Sequence, residues 1–96
     1  MASLRNLKKD IDYLVDEVVC DCYLALYFNT EKRDAIMDVM EDAVDTRNEF
    51  YEMANHPAEK HNPSLVRKHY TFLRSELMER IDGLFDKLSK IVNEAK

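Results

Sequence analysis

The chain has 96 residues, of which 46% are hydrophobic and 34% are charged, and its formal net charge is −5 at pH 7. This balance excludes a disordered chain and a membrane-embedded one, and the negative charge disfavours general binding to nucleic acid or to acidic membranes. One glycine and two prolines are few chain breakers, which favours long helices over hairpins. We expect one all-helical domain over residues 1–96.

The N-terminal sequence and the apolar runs bear on location. The chain starts MASLRNLKKD, with charged residues where a secretory signal would need an apolar stretch. The densest apolar run, residues 22–28, is far too short to cross a membrane. These features predict a cytoplasmic protein with no membrane partner.

The first predicted helix covers residues 3–28, and residue 29 or 30 interrupts it. Its apolar side chains recur at alternating three- and four-residue steps, which is typical of a bundle helix. We expect the buried seam to be Leu4, Leu7, Ile11, Leu14, Val18, Ala25 and Phe28. Either Asn29 or Thr30 is suited to be the N-cap of the next helix.

The second and third helices follow the same pattern. The second runs to about residue 55, and a loop at residues 56–61 follows it. Asn62 and Pro63 then open the third helix as N-cap and first helical residue. The predicted seam of the second helix is Ile36, Val39 or Met40, Ala43, Thr46 or Arg47, Phe50, and Met53 or Ala54. That of the third is Val66, Tyr70, Leu73, Leu77, Ile81, Leu84, Leu88 and Ile91.

Short connections predict an up-down-up antiparallel bundle of three long helices. The apolar stripe keeps its phase across Gly83, so we expect one continuous third helix there. The alternative is a four-helix fold, produced by a break in the first or the third helix.

The second half of the first helix is apolar nearly all round, from residue 18 to residue 28. Two neighbouring helices cannot cover such a segment on every side. We therefore predict a homodimer, whose interface residues would be Val19, Tyr23, Leu26 and Tyr27. The rival explanation is a terminal segment folded back over this surface.

Two cysteines, Cys20 and Cys22, lie two residues apart in this segment. On a helix they would lie on nearly opposite sides, so they can neither form an unstrained disulfide nor chelate one metal ion. We predict two buried, reduced thiols.

The stretches LRNLKKDIDYLVDEVVCDCY (residues 4–23) and AEKHNPSLVRKHY (residues 58–70) resemble a small family of all-helical bacterial proteins. The resemblance covers most of the chain. It implies a helical bundle and no known activity, so it carries over no catalytic or binding residue.

One carboxylate occupies an unexpected position. Asp21 lies in the predicted seam, seven residues from both Leu14 and Phe28, and a lone buried carboxylate needs a partner. The first and third helices would run parallel with an offset of about sixty residues, which predicts a buried Asp21–Arg80 pair. The alternatives are that Asp21 faces solvent at a dimer edge or is a functional acid. Arg47 would lie near the level of Asp12 and Asp16 in the first helix and is expected to extend to the surface.

The charges predict a candidate binding site at the end of the bundle that contains the 56–61 loop. We name this end the basic pole, and its candidate ligands for an anion or an acidic partner are Lys8, Lys60, His61, Arg67, Lys68 and His69. Cations in the first turns of the third helix are disfavoured by the helix dipole, which an anion would relieve. The alternative is a solvated mixed surface whose polarity helps to orient a dimer.

Metal and catalytic chemistry have little support in the sequence. Glu52 and His56 share a helix face, but no carboxylate lies three residues before any histidine, as a di-iron bundle motif would require. No hydroxyl lies in a strained or glycine-rich context. We therefore expect no cofactor and a non-enzymatic interaction or structural module with an unknown protein partner. Anion or acidic-partner binding is the first alternative, and a metal-binding bundle is the second.

Overall fold

The computed structural model describes residues 4–57 and 61–93. Helix α1 spans Leu4–Phe28, a short 3₁₀ helix spans Thr30–Lys32, α2 spans Arg33–Asn55 and α3 spans Pro63–Asn93. No strand occurs in these two ranges, and the molecule is a rod of 53 × 19 × 17 Å. The predicted all-α class and the three-helix organisation are confirmed, and neither α1 nor α3 is broken.

The cross-helix contacts define the direction of each helix. Asp12 of α1 contacts Arg47 of α2, and Asp42 of α2 contacts Lys87 of α3, so both sequential pairs are antiparallel. Asp10 of α1 contacts Arg74 of α3, which fits two parallel helices. The arrangement is therefore up-down-up, as short connections dictate.

The buried stripes of α2 and α3 agree with the predicted seams, whereas that of α1 differs. In α1 the buried side chains recur at four- and three-residue steps, which follows the 3.6-residue helical period. They are Leu7, Ile11, Val15, Val18 and Cys22. The predicted seam members Leu14 and Ala25 are only partly buried, and Phe28 is 74% exposed. The helix is rotated toward Val15 and Cys22 relative to the prediction.

The third helix begins as predicted, whereas the end of α1 is capped differently. Asn62 accepts hydrogen bonds at its Oδ1 from the backbone N–H groups of Ser64 (3.1 Å) and Leu65 (3.3 Å). Asn29 occupies the N-cap position of the 3₁₀ helix, but its side chain forms no capping hydrogen bond there, and the N-cap position of α2 is Lys32, so neither Asn29 nor Thr30 caps α2. The backbone N–H and the Nδ2 of Asn29 both donate to the carbonyl of Ala25, at 2.8 and 3.0 Å, so Asn29 satisfies an unpaired carbonyl at the C-terminus of α1.

The connection between α1 and α2 also caps α3. Lys32 Nζ donates to the carbonyl oxygens of Ile91 and Val92 in the last turn of α3. A cation is favoured at this end of a helix because the unpaired carbonyls carry partial negative charge. One side chain thus joins the far end of α3 to the start of α2.

The two cysteines differ in burial. Cys22 is fully buried in the core, as predicted, whereas Cys20 is exposed, and the prediction is wrong for that residue. Burial raises the pKa of the Cys22 thiol to about 11, and the charge of Asp21 adds to this. The two cysteines differ in burial because residues two positions apart on a helix point to nearly opposite sides.

We expect thiol labelling to separate the two cysteines. A disulfide reagent such as DTNB should modify one thiol per native chain at pH 8 and both thiols in concentrated urea, because only an accessible thiolate reacts. Cys20→Ser should abolish labelling of the native chain, and Cys22→Ser should preserve it. Equal reaction rates for the two thiols in the native chain would contradict the burial of Cys22.

Candidate functional site

Within the described residues, four ion pairs join the three helices along the sides of the bundle. They are Asp10–Arg74 (3.0 Å), Asp12–Arg47 (3.0 Å), Glu49–Arg80 (2.6 Å) and Asp42–Lys87 (2.6 Å). All are substantially exposed, so solvent screens them and each adds little to the stability of the fold. The four pairs show which side of each helix faces which neighbouring helix.

The predicted buried Asp21–Arg80 pair is not formed. Arg80 instead donates to Glu49 and to the hydroxyl of Thr46 (3.4 Å), and its guanidinium lies 5.5 Å from the ring centroid of Phe50. Asp21 is exposed. The Asp10–Arg74 contact gives α1 and α3 an offset of 64 residues, against about sixty predicted, and Arg80 lies on the side of α3 that faces α2.

The most connected polar cluster lies between α1 and α2. Asp12 Oδ1 accepts hydrogen bonds from the hydroxyl of Tyr51 (2.7 Å) and from Nε of Arg47 (3.0 Å). The Arg47 guanidinium and the Lys8 ammonium lie 4.8 and 5.3 Å from the ring centroid of Tyr51. The sequence placed Arg47 near Asp12 and Asp16, and in the structure it pairs with Asp12.

These hydrogen bonds shift the pKa values of Asp12, Tyr51 and Arg47, and that of Arg47 is raised. The Tyr51 hydroxyl, more than Arg47, holds the pKa of Asp12 below its ordinary value, although burial opposes the effect. The same hydrogen bond raises the pKa of Tyr51. Each group in the cluster thus has a partner within the fold, and the arrangement stabilises the α1–α2 contact.

Asp12→Asn is expected to lower the free energy of unfolding at pH 7 by at most about 1 kcal/mol, because solvent screens a half-exposed pair. The pKa of Asp12 is lower in the folded state, so its contribution is present above the ordinary pKa of 3.8 and is lost as the pH falls through the folded-state value. Urea unfolding should therefore distinguish wild type from D12N at pH 7 but not at pH 2.

Asp16→Asn is the control for that measurement. Asp16 lies one helical turn further along α1, is exposed, and forms no ion pair or hydrogen bond with any other described residue. D16N should leave the urea midpoint at pH 7 unchanged. An equal shift in D12N and D16N would mean that the Tyr51 hydrogen bond contributes nothing.

The structure uses two of the predicted anion ligands at the basic pole for its own contacts. His69 Nε2 donates to the carbonyl of Met53 (2.8 Å), an acceptor in the last turn of α2, and Lys8 lies over Tyr51. His61, Arg67 and Lys68 have exposed side chains. Lys60 lies outside the described residues. The described contacts do not assemble these side chains into one anion site.

The helix face predicted to offer metal ligands, that of Glu52 and His56, holds one exposed contact between these two side chains. His56 Nε2 lies 3.3 Å from Glu52 Oε1, and both side chains are mostly exposed. Within residues 4–57 and 61–93, no group of three or more His, Cys, Asp or Glu side chains could hold a metal ion. The structure therefore gives the metal-binding alternative no further ligand.

The second half of α1 has a large exposed apolar surface. Tyr23 and Tyr27 are 61% and 78% exposed, and the rings of Tyr27 and Phe28 form an edge-on contact with centroids 5.0 Å apart. Val19 and Leu26 are partly buried against the core. The described C-terminal residues continue α3 to Asn93 instead of folding back over α1, so the rival explanation has no support there.

This exposed segment contributes to a surface shared with α2. On α1, Val19, Tyr23 and Leu26 follow Asp12 at helical intervals and therefore lie on the side that faces α2. On α2, Met37, Met40 and Val44 precede Arg47 at three- and four-residue steps and face α1 in the same way. We name these six residues, with Tyr27, the α1–α2 surface.

A second depression runs between α1 and α3, and we name it the α1–α3 groove. Its α1 side is lined by residues between Asp10 and Asn29, and its α3 side by residues between Arg74 and Asn93. The sequence did not predict this groove. Three apolar residues outside the predicted α3 seam, Met78, Phe85 and Val92, were its only signal.

Fold and surfaces together define a three-helix bundle in which every buried side-chain nitrogen or oxygen of the described residues has a hydrogen-bond partner, and whose first helix carries uncovered apolar area. No described helix is long and apolar enough to cross a membrane. No protein-family model matches the chain, and comparisons with curated proteins and with solved structures find no match either. The site therefore has to be interpreted from its own geometry.

Proposed function

We propose that this chain is a non-enzymatic protein-interaction module and that it forms a homodimer through the α1–α2 surface. The observation that carries the proposal is the exposure of Tyr23 and Tyr27 on a helix whose opposite side is fully packed. Large aromatic side chains are favoured at protein interfaces and contribute much of their binding energy.

The composition of the α1–α2 surface supports this assignment. Exposed Tyr23, Met37 and Val44 surround the partly buried Val19, Leu26 and Met40, so the surface has an apolar centre that already contacts the core. Exposed apolar patches of this kind on a bundle are typical of interaction sites.

A cytoplasmic location is part of the proposal. Cys20 and Cys22 are both free thiols, and free thiols are usual in a reducing compartment. A bacterial origin rests on the sequence resemblance alone.

Light scattering coupled to size-exclusion chromatography tests the dimer. We expect a mass of about twice the 11.3 kDa of the chain at concentrations of tens of micromolar, decreasing toward a single chain on dilution. High salt should weaken the dimer only modestly, because apolar contacts dominate the surface. A mass of one chain at every concentration up to the millimolar range would overturn the proposal.

A further inference from the structure

The α1–α3 groove is continuous along about half the length of the 53 Å molecule. Its middle section shares Tyr13 with the section near the 56–61 loop and shares Asp21 and Phe85 with the section at the opposite end. On α1 it extends from residue 10 to residue 28, which is about 27 Å at 1.5 Å per residue. A helix of about five turns matches that length.

The groove is apolar enough to bind the apolar face of a helix. Tyr13, Leu24 and Met78 have exposed side chains along it, while Leu14 and Phe85 are partly buried and pack against the core. A fourth helix placed between two parallel helices would complete a four-helix bundle, in which such side chains are covered.

The charge of the groove determines what kind of helix it accepts. Asp16, Glu17 and Asp21 line its middle section, and none of them forms an ion pair with a described residue. The cation that lines the described groove, Arg74, is already paired with Asp10. Uncompensated carboxylates beside an apolar surface favour a ligand with the opposite charge.

We infer that the α1–α3 groove binds a basic amphipathic helix of a partner protein. A second copy of this chain is disfavoured as the occupant, because its own α1–α3 groove would bring the same carboxylates against these. The inference rests on the proposed function only in treating the chain as an interaction module. The α1–α2 surface lies on the other side of α1, so a dimer leaves the groove accessible.

A synthetic helical peptide tests the inference. The probe is an 18-residue peptide with leucines on one face and lysines on the other, compared with a permuted peptide of equal composition and no apolar face. We expect the permuted peptide to bind at least tenfold more weakly in fluorescence anisotropy. Chemical-shift changes from the amphipathic peptide should fall on the groove residues of α1 and α3.

Charge-reversal variants identify the surface. Glu17→Lys with Asp21→Lys should raise the Kd for the amphipathic peptide at least tenfold. Asp38→Lys with Glu41→Lys makes the same change of net charge on α2, outside the groove, and should alter the Kd less than twofold. Leu24→Ser, which removes apolar area at constant charge, should weaken binding severalfold.

Three results would overturn the inference: equal loss of affinity in both charge-reversal variants, equal binding of the two peptides, or shift changes outside the groove. The molar mass of the Glu17→Lys, Asp21→Lys variant is measured in parallel. A retained dimer with lost peptide binding supports two separate surfaces. A monomeric wild type that still binds the peptide in the groove would refute the proposed dimer and leave this inference standing.

Discussion

A chain carrying Tyr23→Lys and Tyr27→Lys is expected to dissociate into monomers, with a dimer Kd at least 100-fold higher than that of wild type. Two-fold symmetry places each substitution in the interface twice, so four ammonium groups would have to lose solvent where four aromatic rings were covered. A 100-fold change corresponds to about 2.7 kcal/mol, which is modest for the loss of interface tyrosines. Sedimentation equilibrium measures the change.

The matched control for this experiment replaces two other exposed aromatic residues. Tyr13→Lys with Phe72→Lys makes the same change in charge and also removes two exposed aromatic rings, but both residues lie away from the α1–α2 surface. We expect this variant to remain dimeric. Because all four residues are exposed, both variants should keep the helical circular dichroism of wild type. Equal dissociation of both variants would show that general charge, and not this surface, controls association.

The substitution Phe50→Ala is expected to cause the largest loss of stability in the chain, about 3 to 5 kcal/mol. Phe50 is 1% exposed and is the largest of the fully buried side chains in the described core. Its removal would leave a cavity between the helices and would also remove the ring over which Arg80 lies. A domain of this size is stable by about 5 to 15 kcal/mol, so the variant should be close to unfolding at 37 °C.

Phe72→Ala provides the comparison at the same residue type. Phe72 is 58% exposed, and its truncation should change the free energy of unfolding by less than about 0.5 kcal/mol. The free energies of unfolding of both variants are measured by urea titration followed by circular dichroism. If Phe50→Ala does not fold, Phe50→Leu replaces it, because leucine fills more of the core and the variant should remain folded. Similar midpoints for the two alanine variants would contradict the placement of Phe50 in the core.

The helices and two of the three buried stripes could be predicted from the sequence because polar residues interrupt the apolar ones at a clear period. In α2, Ile36, Ala43 and Phe50 were predicted without an alternative. Three further positions left two adjacent residues open, and there the structure buries Val39, Thr46 and Ala54. The Asn62 cap could also be predicted, because Asn is favoured at the N-cap and Pro at the first position of a helix.

The stripe of α1 could not be predicted from the same rules. From residue 18 onward nearly every position is apolar, so a 3.5-residue seam and a 3.6-residue stripe fit the sequence equally well. If Leu14 is taken as the buried residue, Asp21, seven residues later, is also buried. If Val15 is taken instead, Cys22 is buried and Asp21 is exposed. The wrong choice produced the predicted buried pair with Arg80, whereas the structure exposes Asp21 and buries Cys22.

The α1–α2 surface and the α1–α3 groove differed in the same way. The sequence could predict that the second half of α1 carries uncovered apolar side chains, because their excess there does not depend on how the helix is rotated. The α1–α3 groove was not predictable, because Phe85 and Asp21 line it together only when α1 has its observed rotation. The hydrogen bond from His69 to the carbonyl of Met53 likewise depends on the angle between α2 and α3.

The most direct test of the proposed interaction module is a dilution series of isotope-labelled wild-type chain followed by NMR. Between about 1 mM and 1 µM we expect concentration-dependent shifts of Val19, Tyr23, Leu26 and Tyr27, together with Met37, Met40 and Val44 of α2. The groove and the basic pole should be unaffected. Spectra that do not change with concentration, or changes confined to the groove or to the basic pole, would contradict the assignment of the α1–α2 surface.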